Sequence, residues 1–308
     1  MNEPRPRVSI GMPVYNGEQF LVHALDSVLA QTFGDFELVI VDNASIDGTE
    51  DICRAYARRD RRVRYFRNRQ NIGASANYNR ARELSAGEYF GWLSHDDIYD
   101  PRFLACCVDV LDKRPDVVIA HSRICIIDEH GKVTEPYGIV LQTDAASPHR
   151  RFYELIHTMQ MCTPIYGLMR SSTLARVPSL GNYSSSDVPL LARLGLRGRI
   201  YEIPEYLFYH RRHPGHAMAL DRFARSAWMD PGKRGRIVLP EWTLFMELMR
   251  SVVGAPLPPR ERAWCLLYVM CWPAWRRHWR SMGKDAALAT LQLIGLSRRR
   301  STTPASSD

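Results

Sequence analysis

The sequence contains no CxxC pair. Its seven cysteines (Cys53, Cys106, Cys107, Cys125, Cys162, Cys265 and Cys271) are odd in number, and no histidine lies at finger-like spacing from them. Neither a disulfide framework nor a structural zinc site is indicated, which favours a reducing compartment. The N-terminal stretch MNEPRPRVSIGMPVYNG lacks the apolar core, about 7–15 residues long, that a signal peptide needs. No segment reaches the roughly 18 apolar residues of a membrane span. GxGxxG is missing, as are internal repeats and the standard nucleic-acid-binding motifs, so dinucleotide and nucleic-acid binding are both disfavoured. A cytoplasmic protein is expected.

What remains is a globular composition: 308 residues, 45% hydrophobic and 24% charged. That is enough for one large domain, or a domain with an appendage. The formal charge of +8 is concentrated late, with nine Arg or Lys against three Asp or Glu from Pro256 onward. Such a tail is either solvated or faces an anionic surface. Within it, WCLLYVMCWPAWRRHW (264–279) is too short to cross a bilayer. It reads either as an interfacial helix with snorkelling arginines or as a core helix with a basic edge.

Along the chain, strand and helix signals alternate. RVSIGMPV (7–14), FELVIVDNAS (36–45), VRYFRN (63–68), EYFGWLS (88–94) and VVIAHSRICIID (117–128) read as strands. Helices open at Gly17-Glu18, at Thr49 acting as a cap, across 74–85, and at Asp100-Pro101 as cap and first helical residue. The 199–217 stretch reads as two strands with a turn at Pro204. This alternation predicts a mostly parallel α/β sheet with helices on both faces and ligands beyond the carboxyl ends of its strands. Tyr15-Asn16, Asp42-Asn43 and Asp96-Asp97 each end a strand, so three segments converge on one rim.

Each of these pairs has a plain alternative. Asp96 and Asp97 suit a hard divalent cation bridged to phosphate oxygens, or form a polar turn. Asp42 and Asn43 offer acceptors to a nucleobase or ribose, or make an Asx turn. PVYNGE (13–18) is a fixed backbone against which a base could lie. Asp187 after three serines is either a general base or a helix cap. YHRRH (209–213) either neutralises a diphosphate or is a solvated strand end. His95 has no assigned role.

The segments VSIGMPVYNGEQFLVHALDSVLAQTF, FELVIVDNASIDGT, NIGASANYNRA and GEYFGWLSHDDIYDPRFL, in this order, resemble the family 2 glycosyltransferases, whose catalytic domain has the GT-A fold. The resemblance spans about residues 7–215. It implies an inverting enzyme that moves a sugar from a nucleotide-diphosphate sugar to a hydroxyl of a glycan or glycolipid. By the same resemblance, Asp42, Pro13 and Tyr15 meet the base and Asp96 the ribose. Asp97, with Asp96 as the other candidate ligand, holds Mg²⁺ or Mn²⁺. Asp187 is the base, and Arg211 to His213 close over the phosphates. Asn16, Glu18, Asn43 and Asn71 complete the expected donor site. Two departures stand out: Ser94 and His95 occupy the D-x of a D-x-D-D pattern, and Ser186 replaces a Glu before the base. A polyprenyl-phosphate sugar synthase and a non-catalytic sugar-nucleotide or glycan-binding protein are the alternatives. The expected organisation is a catalytic domain over 1–215, a helical extension over 216–297 that contacts a membrane surface or a partner subunit, and a disordered tail over 298–308.

Overall fold

A computed structural model describes residues 5–215, 222–234, 236, 238–274 and 278–293. The expected tail over 298–308 lies outside the described residues. Strands β1 (Val8–Val14) and β2 (Phe36–Asp42) are buried along their whole length. This is what continuous apolar runs produce when a parallel sheet is covered on both faces. With β3 (Val63–Arg67) and β4 (Tyr89–Trp92) they form the parallel run β3-β2-β1-β4. Beyond β4, the short antiparallel strand β8 (Leu168–Arg170) leads to β6 (Val117–Ile127) and its long parallel partner β9 (Arg199–Arg211). The two-residue β5 (Ile98–Tyr99) closes the far edge against β9, and β7 (Val133–Pro136) pairs with β6 after a turn at Gly131 (φ 82°).

Alternation along the strands sorts the core into two faces. Leu38 and Ile40 of β2 join Val8, Ile10 and Met12 beneath α1 (Glu18–Leu29), α2 (Thr49–Arg59) and α4 (Phe103–Lys113). Val39 and Val41 turn the other way, onto Ala81 of α3 (Ala74–Glu83). Phe90 and Trp92 of β4 pack with Leu190, Leu191 and Leu194 of α7 (Asp187–Gly195). Between β6 and α7 lie α5 (Pro148–Tyr153), a π-turn at Glu154–Thr158, a 3-10 turn at Thr163–Tyr166 and, after β8, the short α6 (Ser171–Leu174).

The later helices are α8 (Arg222–Met229), α9 (Pro240–Val253), α10 (Pro259–Cys271) and α11 (His278–Leu293). Leu244, Leu248, Val252, Cys265, Val269 and Trp272 from this group share one core with Phe152 of α5 and Ala192 of α7. Burying that many side chains, each worth about 1.5–3 kcal/mol, fixes these helices to the sheet region. Among the described residues, no helix is long and apolar enough to cross a membrane.

Three local expectations change. Thr49 does not cap its helix: the cap position is Gly48, and the Thr49 hydroxyl instead accepts from Gly17 N at 2.8 Å. The helix expected at Asp100-Pro101 starts at Phe103, because Asp100 Oδ1 accepts from Arg102 N and first closes a turn. Residues 199–211 form one strand, not two. Pro204 has no N–H to give the ladder, and the register with β6 slips there, pairing Ser122 with Ile203 but Arg123 with Tyr206. A bulge absorbs the break without reversing the chain.

Candidate active site

The carboxyl ends of β1, β2 and β4 lie side by side, with Val14 opposite Asp42 and Gly11 opposite Trp92. The loops that leave β1 and β2 are stitched together. Asn16 N donates to Ser45 Oγ (2.9 Å), while Asn16 Oδ1 accepts from Ile46 N (3.0 Å). Glu18 N donates to Asp47 Oδ2 (3.2 Å), while Glu18 Oε2 accepts from Gly48 N (2.5 Å). Asn16 and Ala44 hold positive φ (50° and 63°), the left-handed region that Asn tolerates and Ala pays for. Asn16 and Glu18, expected to touch a nucleotide, thus serve the loop backbone in this structure. Tyr15 and Ile46 are left exposed on it.

Asp42 ends β2 as expected, but it is 0% exposed. Its Oδ1 accepts from Ser45 N (2.8 Å), and its Oδ2 from Tyr65 Oη (2.8 Å) and Arg67 Nη1 (2.6 Å). Asn43 is also internal. Its side-chain oxygen accepts from Asn68 Nδ2 and Ile72 N, and its Nδ2 donates to Asn71 Oδ1. Asn71 Oδ1 also accepts from Gly73 N, and Asn77 Nδ2 donates to Val41 O. This carboxamide network pins the 68–73 loop to the end of β2. Sequence reading placed Asn43 at this rim, and the family resemblance added Asn71 to the expected donor site, without showing that the two bind each other.

The Asp96-Asp97 turn is positioned by β9. Because β5 pairs with β9, Ile98 lies opposite Tyr209, and the preceding carboxylates meet the strand's end. Asp96 Oδ2 lies 3.1 Å from His213 Nε2, and Asp97 Oδ1 lies 3.0 Å from His210 Nδ1 and accepts from Arg211 N at 2.9 Å. Two imidazoles thus stand beside two adjacent carboxylates. Burial raises the Asp97 carboxyl above the ordinary range, opposed by His210. Burial is the largest influence on His210 and lowers it, but the charge and hydrogen bond of Asp97, joined by the charge of Asp96, together carry the net shift upward. His210 was visible in YHRRH, yet only the β9 register shows that it faces Asp97.

Arg211 does not reach out toward a phosphate here. It is 1% exposed, with Nε donating to Asp96 O (2.8 Å) and Nη1 to the carbonyls of Asp128 (3.0 Å) and Glu129 (3.1 Å). Its guanidinium lies 4.8 Å from the Phe20 ring centroid, and the same ring sits 4.8 Å from that of His213. Arg211 is a clamp on the carboxylate turn. Arg211→Ala is expected to cost about 3–5 kcal/mol in chemical denaturation, since it orphans buried acceptors. Arg212→Ala, removing an exposed pair with Glu135, is expected to cost less than about 1 kcal/mol.

His95 also finds its place. A Cβ at Gly17 would stand 2.7 Å from the His95 ring and 2.6 Å from Val14 Cγ2. The ring therefore lies directly against the Gly17 backbone, which explains the glycine.

Asp187 opens α7, partly buried, and its Oδ1 accepts from Val188 N at 3.0 Å. Burial raises its carboxyl above the ordinary aspartate range, while a hydrogen bond with the Cys162 thiol partly opposes this. Between this residue and the carboxylate turn stands a group that sequence reading missed. Tyr78 Oη lies 3.2 Å from Ser94 Oγ, which lies 3.4 Å from Tyr166 Oη. The Tyr78 hydroxyl, raised mainly by burial, also feels the charges of Asp96, Asp97 and Asp187. One hydroxyl cluster thus lies within electrostatic reach of all three carboxylates. Only Ser94 left a trace in the sequence, as the residue standing where a carboxylate was expected.

A divalent cation is testable on the donor set. Among the described residues no group of three or more His, Cys, Asp or Glu side chains is arranged to hold a metal. Asp97 Oδ2, however, is buried with no hydrogen-bond partner. An unshared buried carboxylate oxygen fits Mg²⁺ or Mn²⁺, which take one or two protein carboxylates and complete their shell with phosphate and water. Asp97 is therefore the better-suited ligand, because Asp96 Oδ2 is already beside His213.

Comparison with known proteins bears on the family and the fold. The Glycosyl transferase family 2 model covers residues 9–175. An uncharacterized glycosyltransferase of Rickettsia felis is 40% identical over 130 residues, covering 41% of this chain and 21% of that protein. The chain spans about a fifth of that relative's length, and under half that of a Bacillus subtilis relative that is 32% identical over 127 residues. Among solved structures, S. aureus TarS 1-349 in complex with UDP-GlcNAc superposes with a TM-score of 0.63 at 19% identity, over 87% of this chain and 72% of that one. Mannosyltransferase PcManGT from Pyrobaculum calidifontis, in complex with GDP-Man and Mn²⁺, gives 0.53 at 18% identity, over 96% and 82%. These superpositions show the GT-A fold, and the family match covers more than half the chain. On that match and that fold, the chain belongs to Glycosyl transferase family 2.

Proposed function

We propose that the protein is an inverting, metal-dependent glycosyltransferase that uses a nucleotide-diphosphate sugar and a hydroxyl acceptor on a glycan or glycolipid. The observation that carries this reading is the joint placement of two unlike carboxylates around one hydroxyl cluster. Asp97 offers an unshared buried oxygen, and Asp187 a carboxyl raised by desolvation. A raised carboxyl is a stronger base, suited to taking a proton from a neutral hydroxyl. A lipid-phosphate acceptor is already ionised and needs none, so Asp187 favours the hydroxyl acceptor over a polyprenyl-phosphate synthase. Turnover rather than binding alone is what such a base serves.

In this reading Asp187 accepts the acceptor proton as the oxygen forms its bond to the anomeric carbon. The bond from that carbon to the donor phosphate breaks on the opposite side, and its electron pair leaves with the diphosphate. A cation held by Asp97, with Asp96 beside it, would supply charge neutralisation for that diphosphate. Tyr15 and Pro13 flank the base, with Asp42 and Asn43 shaping the pocket from beneath through Arg67 and Asn71. Asp96 and His213 lie toward the ribose and phosphates. The structural neighbours were captured with UDP-GlcNAc and with GDP-Man and Mn²⁺, which supports a nucleotide-sugar donor. A thermal-shift screen of UDP-, GDP- and dTDP-sugars tests this: one donor class is expected to raise the melting midpoint with Mn²⁺ and not with EDTA. No shift with any donor, with or without metal, removes the reading.

The same reading takes residues 1–215 as the catalytic domain, 216–297 as a helical extension, and the location as the cytoplasmic membrane face of a cell-envelope pathway. In α10 the apolar run splits: Cys265 and Val269 enter the core, while Trp264, Leu267 and Met270 are exposed, spaced as one helical stripe. Truncation would unpack α5 and α7, so point changes are the better probe. Trp264→Ser/Leu267→Ser/Met270→Ser is expected to lower flotation with anionic liposomes at least about fivefold; unchanged flotation excludes this stripe as the contact.

A further inference from the structure

The rim that holds Asp97 lies at the carboxyl ends of the strands, and a cleft of about 460 Å³ opens at the opposite edge of the same sheet. Arg5 lines it from just before β1, Arg82 from the last turn of α3, and Gly87 and Phe90 from the start of β4. Ser171 and Ala175 line it from α6 and its end. The sheet register brings these pieces together. β8 runs antiparallel to β4 with Arg170 opposite Tyr89, and Ser171 N donates to Glu88 O at 3.0 Å. β1 runs for seven residues between the two edges, about 20 Å at roughly 3.3 Å per residue. The cleft is therefore a separate place from the donor rim.

Two guanidiniums and no carboxylate line it. Two acids nearby are already matched, Glu37 with Arg64 at 2.5 Å and Glu88 with Arg7 at 3.4 Å. Arg5 is exposed and makes no hydrogen bond or ion pair among the described residues. Half-buried Arg82 is held by neutral groups, with Nη2 donating to Leu174 O (2.5 Å) and Nη1 lying 3.5 Å from Ser179 Oγ. Burial lowers this guanidinium below its ordinary range, opposed only by the charge of Glu83. The carboxylates of Asp112 and Asp144, by contrast, raise Arg7 and Arg114. A desolvated cation is unfavourable until an anion joins it. The serine hydroxyls supply no further donors, since Ser85 Oγ donates to Ala81 O (2.8 Å) and Ser171 Oγ to Gly87 O (2.7 Å). What faces the cleft is a pair of guanidinium forks.

Such forks match phosphate oxygens in geometry, and two monocations match a dianion in charge. A phosphate group alone fills little of the volume, which leaves the wall of Phe90, Leu174 and Ala175 for the body of a small ester. We propose that this cleft binds the phosphate dianion of such an ester and ties α3, the turn into β4 and α6 together around it. The site stands apart from the donor and does not depend on the roles given to Asp97 and Asp187. The phosphate belongs either to a soluble ester or to a lipid headgroup, and the dianion is common to both.

Hydrogen–deuterium exchange on the full chain in EDTA tests it, with inorganic phosphate as probe and acetate at equal ionic strength as control. Phosphate is expected to slow exchange across residues 82–90 and 171–177 saturably, at least about threefold. The same protection is expected in Asp97→Asn, which separates this cleft from any phosphate held at the donor rim. Less phosphate is expected to suffice as pH rises through about 6, where phosphate takes its second charge. Arg82→Gln is expected to lose the protection. Should that variant unfold, two exposed positions decide: Arg5→Gln is expected to weaken protection, and Ala175→Glu, which sets a carboxylate against the forks, to abolish it. Protection that is absent, matched by acetate, or retained in both folded variants overturns the proposal. Protection by glycerol 3-phosphate but not by phosphatidate vesicles assigns the anion to a soluble ester. Protection by phosphatidate vesicles, where phosphatidylcholine vesicles give none, assigns it to a lipid.

Discussion

Asp97→Asn is expected to lower transfer by about 10²–10³-fold in kcat, the scale seen when one preorganised charge-stabilising group is removed from a leaving-group site. The substitution keeps the side chain's size, and an amide oxygen can still accept from Arg211 N. What it removes is the negative charge and the unshared acceptor at Oδ2, which becomes either a donor or a weak acceptor. Manganese-dependent donor binding is expected to go with it, read as loss of the Mn²⁺-specific part of a nucleotide-induced thermal shift. Asp96→Asn serves as the comparison. Its Oδ2 already meets His213, so it is expected to change donor KM more than kcat. Near-parental turnover in Asp97→Asn would falsify its assignment as metal ligand.

Asp187→Asn carries the second large effect, and it acts in two directions. Turnover is expected to fall about 10²–10⁴-fold, the usual contribution of a positioned general base. Stability is expected to rise at neutral pH. Burial raises the Asp187 carboxyl above the ordinary value of 3.8, so the folded state holds this proton more tightly than the unfolded chain does. The group's stabilising contribution is therefore complete below the unfolded value and is lost as pH rises through the folded one. Above the folded value the carboxylate is charged and desolvated, and the asparagine removes that burden. A gain of about 2–4 °C in melting midpoint accompanies each kcal/mol recovered. In the wild type, kcat is expected to decline on the acidic side with an apparent pKa above 3.8, because the protonated acid cannot take the acceptor proton. A variant that loses both activity and stability would mark Asp187 as a structural cap.

The strand-end convergence was legible because it rests on short-range signals. Apolar runs that stop at Asp42, Trp92 and Val14 announce strand ends, and a parallel sheet places them on one edge. The side-chain partners were less legible, because they depend on how segments from 28 to 117 residues apart are brought together. His210 and His213 reach Asp97 and Asp96 only through the β5–β9 pairing, and Tyr166 reaches Ser94 only through the 3-10 turn before β8. Arg211 and Asp42 show the same limit from the other side. A charged residue at a strand end reads as a ligand contact, and nothing local reveals that another segment of the same chain has already engaged it. Asn43 and Asn71 bind one another for the same reason. Pro204 misled in a simpler way, since a proline in a long strand signals a turn unless a bulge is available to absorb it.

On the proposed reading of the rim as a donor site, the stitched loops after β1 and β2 bear on how fast and at what thermodynamic cost a nucleoside is captured. With Asn16, Glu18, Ser45 and Asp47 already holding each other's backbone, an arriving base has no loop to fold. Association then needs no ordering of that surface, a cost that otherwise subtracts from affinity. Nucleoside capture should therefore show a small heat-capacity change and an on-rate insensitive to the temperature range in which loops order. Any slow, strongly temperature-dependent phase in a full catalytic cycle then belongs to the sugar, the acceptor or the departing diphosphate.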